Sequence, residues 1–108
     1  MSYYIYVIGP KEPPVKIGIT GDLTQRLRNL QTGHSRELFV HHSEPIADSK
    51  TAKLFEGIIH KNLKHQQTYG EWFDISIEDA IDYVKWCVIR YENEPNLNFK
   101  KLNGLLSN

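Results

Sequence analysis

Cysteine is almost missing from this sequence: Cys87 is the only one in 108 residues. An intrachain disulfide is therefore excluded, as is any CxxC zinc site, and the composition fits a reducing compartment. Long apolar runs are missing too. None approaches the roughly 20 residues needed to cross a bilayer, and the N-terminus does not read as a signal peptide. These absences point to the cytosol of a bacterial cell or a phage-infected host and to no membrane partner. Net charge is also missing, because 13 Lys/Arg balance 13 Asp/Glu. A dedicated high-affinity DNA binder is normally more basic. Internal repeats, low-complexity tracts and a domain-splitting linker are absent as well, which leaves one domain with one modest core.

Charge is present but unevenly spread. Residues 1–70 carry nine basic and six acidic side chains, residues 71–94 carry two and seven, and residues 95–108 carry Lys100 and Lys101 alone. Such asymmetry permits a nucleic-acid face without requiring one.

Pattern gives the elements. Tyr3–Ile8 and Val15–Thr20 read as strands from their β-branched and aromatic content, joined by a proline-bearing loop as a hairpin. Asp22 reads as a helix N-cap with Gln25 in a capping-box position, and Leu23, Leu27 and Leu30 carry the helix to about Gly33. Glu37–Ser43 reads as a third strand, a second helix runs from Asp48 or Ser49 to about His65, and Glu71–Ile75 is a short strand or extended segment. Ser76 caps a third helix with an apolar stripe from Ile77 to Tyr91, and Pro95 ends it. The expectation is an α+β fold: an antiparallel sheet of about three strands with an N-terminal hairpin, flanked by three helices. Residues 1–94 form the domain and 95–108 a tail.

Parity assigns the hairpin's faces. Ile5 and Val7 share a face in the first strand, as do Val15, Ile17 and Ile19 in the second. Pairing these toward the core puts Tyr4, Tyr6 and Lys16 together on the other side. Gly18 beside them leaves room for a ligand backbone to approach. Parity alone is also satisfied by an ordinary half-exposed sheet with a snorkelling lysine.

The order of strings adds to this. Tyr4-Ile5-Tyr6 is followed by Lys16-Ile17-Gly18, by GDLTQRLRNL at 21–30, and by FEGIIH at 55–60. This order resembles the GIY-YIG nuclease superfamily, whose N-terminal hairpin carries two tripeptide signatures. The KIGIT, LQTG and GEWF strings at 16–20, 30–33 and 70–73 resemble a small branch of that superfamily found in phage and bacterial open reading frames. The likeness covers about residues 3–75. It implies a metal-dependent endonuclease of low sequence specificity that hydrolyses DNA phosphodiester bonds. By the resemblance, Arg26, eight residues past Gly18, is the catalytic arginine, and Glu56 is the ligand of Mg²⁺ or Mn²⁺. Tyr6 holds or deprotonates the attacking water, and Tyr4 is a neighbouring hydroxyl. Two departures stand out: Tyr4 replaces the first glycine, and Lys16 replaces the second tyrosine. Lys16 is a base only if its pKa falls toward neutrality; otherwise it is a phosphate contact.

Read from the residues, this chemistry is coherent. Phosphodiester hydrolysis needs an activated water, a cation for developing charge and help for the leaving oxygen. One hard carboxylate suits Mg²⁺ or Mn²⁺ when waters and phosphate complete the octahedron, and arginine offers a planar fork to phosphate. His60 lies at i+4 from Glu56, where it can share a metal, touch phosphate, hold a water or make a plain helix-edge contact. Gly57 either permits close packing or marks an imperfect helix. Glu71 supports the site from outside, and Trp72 and Phe73 are core anchors. His34, His41, His42 and His65 match no zinc spacing. Lys61 and Lys64 offer a weak phosphate-binding face.

The near-neutral charge implies weak DNA binding by the chain alone, with a homodimer or protein partner as a further source of affinity. The competing class is a non-catalytic protein of the same fold that binds or inhibits a host protein or nucleic acid. For that class the acidic face of Glu78, Asp79 and Asp82 is the contact surface.

Overall fold

Alternation in the first 20 residues builds the centre of the sheet. The computed structural model describes residues 2–91, so the tail, Pro95, Lys100 and Lys101 lie outside the described residues. Strands β1 (Tyr3–Gly9) and β2 (Val15–Thr20) pair antiparallel, with Tyr4 opposite Thr20, Tyr6 opposite Gly18 and Ile8 opposite Lys16. Helix α1 (Leu23–Thr32) follows, then β3 (Phe39–Ile46), α2 (Ser49–Asn62), a 3-10 turn at Lys64–Gln66, β4 (Gln67–Tyr69), β5 (Trp72–Phe73) and α3 (Ile77–Tyr91).

Five antiparallel strands take the order β3-β1-β2-β5-β4. The expectation of about three strands is corrected here. Strands β4 and β5 are too short, and β4 too exposed, to leave an alternating signature. They exist because Trp72 pairs with Lys16 and Phe73 with Val15, a tertiary match that extends the hairpin. Strand β3 starts and ends later than the expected 37–43 and runs through Pro45. A proline fits there because β3 is an edge strand. Helix α2 stops at Asn62 rather than near His65, and the chain tightens into the 3-10 turn.

The helices start where their caps dictate. Asp22 accepts from the Gln25 amide at 3.0 Å, Asp48 from the Thr51 amide at 2.7 Å, and Ser76 from the Asp79 amide at 3.0 Å. The capping box at Asp22 is only half made, because the Gln25 side chain reaches forward to Asn29 instead.

Both faces of the sheet are covered. Ile5, Val7, Val15, Ile17 and Phe73 pack against Ala52, Phe55, Ile58 and Ile59 of α2 and against Ala80, Val84, Cys87, Val88 and Tyr91 of α3. On the other face Tyr6, Ile8, Leu38 and Trp72 meet the α1 leucines 23, 27 and 30. Neighbours in sequence, Trp72 and Phe73 go to opposite cores, as strand parity requires. The face that parity left half-exposed is thus closed by α1, and Tyr6 is 0% exposed. Cys87 is buried, and burial pushes its thiol up to about 12, so it is an inert core residue.

Candidate active site

The site gathers around Gly18, at the end of β2 that β5 leaves uncovered. Tyr6, directly across from Gly18, turns its hydroxyl over the glycine. A Cβ added at Gly18 would sit 2.5 Å from that oxygen. The space at Gly18, expected to admit a ligand backbone, is filled by the Tyr6 hydroxyl; this corrects the parity reading and explains the glycine. The hydroxyl is buried and has no hydrogen-bond partner, the one such side-chain atom among the described residues. Burial pushes the Tyr6 phenol up to about 12, with the nearby Arg26 guanidinium pulling it down and the carboxylates of Glu71 and Glu56 pushing it up.

Glu71 enters from the β4–β5 turn. Gly70 there has φ +54°, a left-handed conformation that suits glycine, and the two-residue turn of Gly70 and Glu71 joins paired Tyr69 and Trp72. The Glu71 carbonyl accepts from the Ile17 amide at 3.2 Å. Its carboxylate reaches Lys16 Nζ at 3.0 Å, and that ammonium also lies 5.8 Å from the centre of the Trp72 ring. The lysine side chain is 12% exposed and the glutamate 38%. Lys16 is therefore a sequestered cation held by a carboxylate.

Helix α2 closes the free edge of β2. His60 Nε2 donates to the Ile17 carbonyl at 2.7 Å, and its ring tilts against Phe73 with centroids 5.0 Å apart. One turn earlier, Glu56 lies half-buried beside the Ile19 amide. Burial pushes the Glu56 carboxyl up, and Glu71 adds to this; His60, Lys16 and the Ile19 amide oppose it. Of the uses open to His60, the one the structure displays is a strand-edge bond to backbone. Arg26, half-buried on α1, makes no ion pair among the described residues, yet its charge bears on Tyr6.

Tyr6, Lys16, Arg26, Glu56, His60 and Glu71 thus come together from β1, β2, α1, α2 and the β4–β5 turn. Tyr4 shares the sheet face but sits at its far end, opposite Thr20 and Pro45. The other histidines stand apart. His41 bonds the Pro10 carbonyl, His42 pairs with Glu44, and His34 stacks on Trp72. Asp79 and Asp82 of the acidic α3 face line a groove of about 520 Å³ with Tyr83 and Trp86, away from this cluster. No helix among the described residues is long and apolar enough to cross a membrane.

No set of three or more His, Cys, Asp or Glu side chains converges as a metal cage among the described residues. What the cluster does offer is a half-buried carboxylate, Glu56, whose ionised form is disfavoured by burial and by a second carboxylate. That suits a hard divalent cation whose remaining positions are filled by water and phosphate. A family model described as the T5orf172 domain matches residues 3–88. No curated protein matches the chain, and neither does any solved structure.

Proposed function

The chain belongs to the T5orf172 domain family, and from that footing we propose that it is a metal-dependent DNA endonuclease of the GIY-YIG type, phage-encoded or bacterial, with low sequence specificity. One observation carries the reading. Tyr6, Lys16, Arg26 and Glu56 are far apart in sequence and stand on four elements, yet they converge on one locality: the charges of Arg26, Glu71 and Glu56 all bear on the Tyr6 hydroxyl over Gly18, and Lys16, paired with Glu71, bears on Glu56. A fold that needed only stability would not gather two cations, two carboxylates and an unpartnered hydroxyl at one strand edge.

Each residue has a task in this reading. Glu56 would hold Mg²⁺ or Mn²⁺, which supplies charge neutralisation at the scissile phosphate. Arg26 offers two parallel N–H donors to the same phosphate. Lys16, held as an ammonium by Glu71, is the phosphate contact rather than the base. The Tyr6 hydroxyl keeps its proton at neutral pH; it is fully covered in this structure, so in this reading it would orient the attacking water only once substrate binding uncovers it. His60 fixes the β2 edge that carries Gly18.

The test is direct. Purified protein with Mg²⁺ or Mn²⁺ is expected to cut at least one of supercoiled plasmid, linear duplex, branched or single-stranded DNA, and EDTA to stop it. Intact DNA in every form across a wide pH range contradicts the reading and favours a binding or inhibitory protein.

A further inference from the structure

We propose that the outer face of α3 pairs with the same face of a second copy of this chain, the two helices running antiparallel about a two-fold axis at Trp86. The inference goes beyond the nuclease reading and does not depend on it.

Exposure singles this face out. Helix α3 buries Ala80, Val84, Cys87, Val88 and Tyr91 in the core, yet its other side carries Trp86 at 44% exposure and Ile89 at 80%. Beside them lies the groove of about 520 Å³, walled by Ile75, Tyr83 and Trp86 and rimmed by Asp79 and Asp82. One helix face thus holds both an apolar knob and a hollow with apolar walls.

Spacing makes the face self-complementary. Trp86 stands three residues from both Tyr83 and Ile89, and four from both Asp82 and Arg90. Steps of three and four keep side chains on one side of a helix. A two-fold axis at Trp86 therefore sets Ile89 of each copy on Tyr83 of the other, at the groove, and Arg90 on Asp82. The contact is isologous, so one symmetry operation makes it twice. Charge agrees with this direction. The groove end of the face carries Glu78, Asp79 and Asp82, all exposed, and the knob end carries Arg90. Parallel pairing would set carboxylates against carboxylates. Tyr83 and Trp86 already meet edge to face, with centroids 6.1 Å apart, so the wall that receives Ile89 is formed within one copy.

Size sets the strength. One helix face and its groove fall short of the roughly 1,200 Å² of a standard interface, so the dimer is weak and concentration-dependent. The groove lies away from the cluster around Gly18, so pairing leaves both candidate sites open.

Sedimentation equilibrium of the full chain, from low micromolar to near-millimolar concentration, tests this. Wild type is expected to pass from monomer to dimer across that range. Ile89→Asp, at a position too exposed to disturb the fold, is expected to weaken dimerisation by about tenfold or more. Asp82→Arg and Arg90→Asp are each expected to weaken it, and the double variant to recover it, because the swap restores opposite charges across the axis. A wild type that stays monomeric throughout overturns the proposal and leaves the face to another occupant, the tail at 95–108 or a different protein. So does a dimer that Ile89→Asp leaves unchanged, or a double variant no tighter than the single ones. No DNA enters the measurement, so failure of the dimer and failure of the nuclease reading are told apart.

Discussion

Tyr6 keeps a hydroxyl where phenylalanine fits at lower cost. Removing an unpartnered buried hydroxyl is expected to raise stability by about 1 kcal/mol while cleavage falls, and a denaturant melt beside a nicking assay checks both. Equal or lower stability of Tyr6→Phe would mean that the hydroxyl has a partner in solution. Glu56 is the second residue with opposed demands. Its folded carboxyl is raised by burial first and by Glu71 second, so ionisation costs the folded state. That cost is absent below the unfolded carboxylate pKa and complete above the folded one. Glu56→Gln is therefore expected to melt higher than wild type at neutral pH, the gap closing as pH falls through the carboxylate range. A gap that is constant with pH would contradict the assignment. A stabilised but inactive variant is the signature of a residue kept for function.

Glycines separate structural from functional demands at the scale of elements. A Cβ at Gly57 in α2 meets nothing within 4 Å, so the close packing considered from sequence is not there. Gly57→Ala is expected to add about 1 kcal/mol of stability, read by thermal melting. Gly70 differs, since its positive φ shapes the turn that delivers Glu71. Gly70→Val is expected to cost about 1–3 kcal/mol and to lower cleavage with it. In the proposed mechanism helix α1 supplies one phosphate donor, and Arg26→Ala is expected to lower the cleavage rate about 10²–10³-fold without a comparable loss of stability. Much of this level was legible in the sequence. Parity sorted β1 and β2 correctly, and the caps at Asp22 and Ser76 announced their helices. Other parts had no local signal. Strands β4 and β5 depend on pairing with β2 across half the chain, and the partner of His60 is a backbone carbonyl 43 residues away. Glu71 could be read from sequence only as support. Its closeness to the Tyr6 hydroxyl arises from the Gly70 turn and the β2–β5 pairing, neither of which a linear pattern encodes.

Balanced charge is the dominant fact for the whole molecule. With few cations beside the site, DNA binding is expected to be weak and only modestly salt-dependent. The slope of log affinity against log salt should correspond to about two or three phosphate contacts, roughly −0.9 for each, measurable with the Glu56→Gln protein. A much steeper slope would require a basic surface beyond Lys16 and Arg26. The central claim is chemical, and one assay reaches it most directly: nicking of supercoiled plasmid with Mg²⁺ and with Mn²⁺, wild type beside Glu56→Ala. The account predicts nicked circles from wild type and none above background from the variant. Folded wild type that leaves the plasmid supercoiled, or a variant that nicks as fast, would contradict it.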